Sequence, residues 1–189
     1  MKSHEQATAS DAARLAAGVE LADRLGWSIS WRVLKYHSLD AHEITPETVP
    51  DEVAELDGNG LLNAGIGVLI DRLITDAPGV NSAAFSAANA RLKVGNGTAA
   101  FSAAHTDLQG GSTATAAMDG GFPSVAGQTI TFQATFGTGA ANFAWEEVGV
   151  QNGAGAINGT TVKMLNRRVG SLGTKASGTW VLQATVTIS

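Results

Sequence analysis

His105-Thr106-Asp107 sets an imidazole two residues from a carboxylate, the residue types that general acid–base chemistry uses. On a strand the two would share a face, but the flanking residues show no strand alternation. Glu146-Glu147 is a carboxylate pair. Strand neighbours point to opposite faces, so both can meet one substrate only where a bulge re-aims one of them. A structural role is the simpler reading. His37, His42 and His105 follow no standard zinc spacing. The chain has no cysteine, which excludes a disulfide framework, a thiolate metal site and a cysteine nucleophile. Gly95-Asn96-Gly97 opens like a dinucleotide fingerprint, but no third glycine follows and no helix begins there. Asn-Gly at that point predicts a hairpin turn. No serine sits in a Gly-x-Ser-x-Gly elbow. Arg167-Arg168 is an adjacent basic pair, read as a partner contact or as a solvated strand end. These residues predict a non-enzymatic protein with no catalytic residue, no cofactor and no metal.

The elements that would carry these residues fall into two kinds. Leu15, Val19, Ala22 and Leu25 lie on one helical face. Ser10 or Asp11 can cap its start, and Gly26 can end it. Such a narrow stripe suits a helix packed on its own domain or one docked on a neighbouring subunit. Ile29, Trp31 and Val33 then alternate with Ser30, Arg32 and Leu34, which predicts a strand. The acidic stretch 38–57, broken by Pro46 and Pro50, reads as a solvated loop or as an extended arm. A short apolar helix is predicted over 61–74, with Leu62, Ile66, Leu69 and Leu73 as its buried stripe.

Beyond it the period becomes two. A strand is predicted at 91–95. Ile130, Phe132, Ala134 and Phe136 fall on one face of another, with Thr129, Thr131, Gln133 and Thr135 on the other. Trp180, Leu182, Ala184, Val186 and Ile188 repeat that pattern. Phe143 and Trp145 share a face, and after Glu146-Glu147 the apolar phase slips to Val148 and Val150. A slip of one residue is the mark of a β-bulge. Val162, Met164 and Val169 predict one more strand. Trp145 and Trp180 are expected in the core. Short antiparallel strands between glycine turns favour a sandwich or a small barrel.

Composition agrees with two regimes. Of 189 residues, 23 are glycine and 15% are charged. Residues 1–60 hold 11 acidic and 5 basic side chains, whereas 61–189 hold 6 and 7. The glycines split the other way, 4 and 19. A boundary near Asp57-Gly58-Asn59-Gly60 is the natural place to divide them. A net charge of −5 argues against a nucleic-acid partner. No run of apolar residues is long enough to span a membrane, and the N-terminus lacks the apolar stretch of a secretory signal.

Several motifs in order resemble the small structural proteins of tailed bacteriophage virions. They are Leu61-Leu62-Asn63-Ala64-Gly65, the run from Ala88 to Gly97, Thr106-Asp107-Leu108-Gln109-Gly110 and Thr131-Phe132-Gln133-Ala134-Thr135-Phe136. The run from Ala141 to Glu147, Leu165-Asn166-Arg167-Arg168-Val169 and Leu172-Gly173-Thr174-Lys175 complete the series. The resemblance spans roughly residues 31–189. It implies a β-rich, non-catalytic protein that coats or joins other virion proteins.

Together these readings make the chain mainly β. An antiparallel β-sandwich or jelly-roll-like domain is expected over 61–189, with the helix near 61–74 at its start. Residues 1–60 are expected to form an attachment region of helix, strand and acidic arm. The expected role is a capsid decoration (cement) protein that stabilises the major capsid shell from outside. The alternatives are a minor tail, baseplate or fibre-attachment protein, and a glycan-binding module on the virion surface. The expected partners are the major capsid protein and further copies of the chain, in a homo-oligomer such as a trimer, or else tail proteins. Neither nucleic acid nor membrane is expected, and assembly in the host cytoplasm places the protein in the virion. Leu15, Val19, Leu25, Arg167 and Arg168 are the candidate partner contacts.

Overall fold

The structure is a computed structural model that describes residues 26–58, 60–74, 83–158 and 161–189. Two five-stranded antiparallel sheets pack face to face, the sandwich that the alternation predicts. The first sheet has the order β2-β1-β10-β7-β6. Its strands are β1 (Trp27–Tyr36), β2 (Glu52–Asp57), β6 (Ser124–Ala126), β7 (Thr129–Phe136) and β10 (Thr179–Ile188). The second has the order β3-β9-β8-β4-β5. Its strands are β3 (Gly60–Leu61), β4 (Arg91–Gly95), β5 (Thr113–Ala117), β8 (Ala144–Gln151) and β9 (Met164–Thr174). One α-helix is described, α1 (Asn63–Ile74).

The core lies between the sheets. Ile29, Trp31 and Val33 of β1, Phe132 and Phe136 of β7, and Trp180 and Leu182 of β10 meet Leu92, Val94, Trp145 and Val148 of the second sheet. Trp145 stacks edge-on against both Phe136 and Trp180, with ring centroids 4.9 and 4.8 Å away. Each such contact adds about 0.5–1.5 kcal/mol beyond simple burial. The predicted bulge forms: the pairing of β8 with β9 shifts register between Trp145 and Glu147.

Four expectations are corrected. The boundary near residue 60 does not separate an attachment region from the sandwich. All ten residues of β1 pair with β10, and Ile29, Trp31 and Val33 are part of the core. Part of the acidic stretch is itself a strand, β2, where loop or arm was expected. Its Glu55 and Glu52 lie opposite Arg32 and Lys35 of β1, and opposite charges across a ladder favour pairing. Those charges also blunt an edge that would otherwise invite further strands. Asn96-Gly97 closes no hairpin, because β4 pairs next with β5, beyond residue 112. Finally, Ile66 is 38% exposed, not on the buried stripe. The helix instead approaches the sheet through Gly65, where a Cβ would collide with the Leu165 carbonyl, and buries Val68 beside it. A residue without a Cβ admits the close contact and so selects the face.

Candidate functional site

Residues 96–112 run from β4 to β5, and 96–110 lie over the outer face of the second sheet. The bulge that slips the phase of β8 returns Val148 to the core and leaves Glu147 on that outer face. Arg167 of β9 comes up beside it. Its Nε donates to Glu147 Oε2 at 2.6 Å, and both side chains are 0% exposed.

The connection supplies the remaining partners. Glu147 Oε1 accepts the backbone N–H groups of Gly97 at 3.2 Å, Gln109 at 2.9 Å and Gly110 at 2.7 Å. Gly97 and Gly110 have no room for a Cβ here, since one would strike Glu147 at the former and Asn96 at the latter. Arg167 Nη2 donates to the Ala99 carbonyl at 2.9 Å, and Nη1 lies 3.3 Å from His105 Nδ1. Ser102 N–H also donates to that nitrogen, so Nδ1 acts as the acceptor and the ring proton belongs on Nε2. Leu108 enters a second small core with Leu62 and Met164. Lys93 Nζ holds Asp107 at 2.6 Å, and Asn96 Oδ1 accepts the Ser112 N–H.

The chemistry of this cluster is retention. A carboxylate surrounded by an arginine and three backbone donors has its hydrogen-bonding capacity met by the protein in place of water. The structural reading of Glu147 fits this geometry. His105 and Asp107 are drawn to different partners, Arg167 and Lys93, and do not form an acid–base pair. Glu146 turns the other way and accepts from Ser171 Oγ. Among the described residues no group of histidine and carboxylate side chains is placed to hold a metal.

Arg167 is corrected as a partner contact: it is wholly buried and spent on Glu147 and the connection. Arg168 is half-buried and lines a shallow hollow with Gly60, Phe101 and Val169. Phe101, at the crest of the connection, is 43% exposed and lies over Gly60, where its ring fills the space of a Cβ. Leu15, Val19 and Leu25 lie outside the described residues. Gly26 and Ser189 exchange backbone hydrogen bonds.

Two other lysines are buried. Lys175 donates to the Gly137 carbonyl and to Asn142 Oδ1, each at 2.9 Å. Burial pushes its pKa below the ordinary lysine value. Lys35 lies 4.6 Å from the Trp180 ring centroid and donates to Glu52 at 2.5 Å. That hydrogen bond holds the Glu52 carboxyl below the usual carboxylate value. Reading the sequence missed Lys35, Lys93 and Lys175, because a lone lysine carries no local mark of burial, whether in a strand or, as at Lys175, just beyond the end of one. The phase slip at Glu146-Glu147 was the one signal for Glu147.

Compared with protein-family models, with curated proteins and with solved structures, the chain matches none.

Proposed function

We propose that this chain is a non-enzymatic structural protein of a tailed-phage particle, and within that class a capsid decoration protein that binds the outside of the major capsid shell. The observation that carries the reading is the clamped connection at 96–110. Buried charge is spent on fixing a surface loop whose crest presents Phe101 beside Arg168. Aromatic and arginine side chains on a rigid, water-excluding support are what protein–protein hot spots are made of. A loop ordered in advance also lowers the entropic cost of association. The motif series and the acidic first 60 residues support the same role.

Quantifying the chain in purified particles of the encoding phage tests this. A decoration protein is present in numbers comparable to the major capsid protein and remains on tailless heads. A few copies per particle, lost with the tail, would place it in the tail instead.

A further inference from the structure

The outer face of the first sheet carries a groove of about 600 Å3. Strands β1, β10 and β7 form its floor. The turn around Ala41–Glu43 with residues 44–50 forms one wall, and Asp119 and Phe122 form the other. Two rows cross the floor. The ladder register places Glu55, Arg32, Gln183 and Gln133 side by side, and beside them Leu34, Val181 and Thr135.

Asp119 sets the orientation of the polar row. Its Oδ1 accepts the Thr135 N–H at 3.0 Å, and its Oδ2 accepts Thr135 Oγ1 at 2.9 Å and Gln133 Nε2 at 3.0 Å. With its amide N–H bound there, Gln133 turns its oxygen to Gln183, whose Nε2 donates to it at 2.7 Å. This network assigns both amide orientations. It leaves the carbonyl oxygen and second N–H of Gln183, a residue that lines the groove, unused by that bond. Arg32 is paired with Glu55 at 3.4 Å, and the Asp119 carboxylate is satisfied by its three donors. The floor is therefore polar, its Arg32–Glu55 pair balanced, with the Asp119 carboxylate beside it held by neutral donors. Leu34 on the floor, Ile44, Pro46 and Pro50 on one wall and Phe122 on the other add apolar surface.

We infer that this groove is a binding site for a neutral saccharide unit. Its volume falls in the range of small-molecule sites, about 300–1,000 Å3, and it combines apolar walls with a few fixed polar groups. A pyranose has the matching two-sided chemistry: a C–H face for an apolar wall such as Phe122, and an edge of hydroxyls that both donate and accept. The Gln183 amide and the Arg32 guanidinium are planar groups whose donors and acceptor suit such an edge. An anionic ligand would face the Asp119 carboxylate, and the guanidinium of Arg32 is already paired with Glu55. This site goes beyond the docking role and does not depend on it.

Saturation-transfer-difference NMR on the full chain tests the site, with the methyl glycosides of glucose, galactose, mannose and N-acetylglucosamine as probes. At least one glycoside is expected to receive saturation, strongest at its ring C–H protons. In Gln183→Ala its affinity should fall by about fivefold, the effect of one neutral hydrogen bond. Phe122→Ala should weaken it as well, with thermal unfolding confirming that both variants fold. No transfer to any of the glycosides overturns the inference. So does transfer that both variants retain undiminished, or transfer only to a neutral Ser-Thr-Gly peptide run as a control.

Discussion

Arg167 and Glu147 meet at 2.6 Å with neither side chain exposed, and the connection from β4 to β5 is tied to both. A buried ion pair is not in itself a source of stability, because desolvation offsets the attraction. Its worth here is positional: it gives residues 96–110 one place to lie.

Replacing Glu147 by glutamine keeps the shape and removes the charge. Arg167 is then left buried without its counterion, and an amide N–H faces donors it cannot accept from. The expected loss is about 3–5 kcal/mol of unfolding free energy, the usual cost of breaking a buried pair from one side. Urea denaturation measures it. Hydrogen exchange at Gln109 and Gly110, both bound to Glu147, should accelerate more than exchange in β10.

Two glycines of α1 should respond in opposite directions. Gly65→Ala drives a Cβ into the Leu165 backbone and is expected to cost about 1–3 kcal/mol, as overpacking does. Gly67 has nothing within 4 Å of an added Cβ, so Gly67→Ala should stabilise by up to about 1 kcal/mol through helix propensity. Thermal unfolding of the two variants separates them.

The contrast shows where sequence and structure part. Spacing alone predicts Leu62, Ile66, Leu69 and Leu73 as the buried stripe of α1, because apolar residues normally choose the face. Here a backbone contact through Gly65 chooses it, and nothing local announces that. Strands β1, β7 and β10 were legible because a two-residue period with large apolar groups has one burial solution. Strands β5 and β6 were not, since Thr113–Ala117 and Ser124–Ala126 lack large groups on a consistent face. At the site, the bulge was legible from the slip to Val148 and Val150. The partner of Glu147 was not. Arg167 is 20 residues away and the backbone donors 37 to 50. A second irregularity between Val150 and Gln151 helps set which way the side chains of β9 face. The compositional divide at residue 60 is real as charge, yet β1 and β2 lie on the acidic side of it and inside the sandwich.

Stability should depend on pH at both ends of the range. The carboxyl of Glu52 is depressed in the folded chain by Lys35. Its contribution is therefore present above the ordinary value of 4.5 and is lost as pH falls through the lower folded value. Glu52→Gln should flatten that acid limb. Lys175 is depressed by burial, so the unfolded chain binds its proton more tightly. Stability then rises with pH between the folded value and the ordinary 10.5. Lys175→Met should remove that rise. Urea midpoints collected across pH check both variants.

The most direct measurement of the docking account is cosedimentation of the full chain with emptied heads of the encoding phage. The wild-type chain is expected to bind. Phe101→Ala should weaken binding by about tenfold or more, the loss expected of a hot-spot aromatic, with its unfolding midpoint close to wild type. Val49→Ser, at a residue 82% exposed on the far loop, should bind as the wild type does. Wild-type chain that leaves the heads undecorated, or Phe101→Ala that binds them undiminished, would contradict the account.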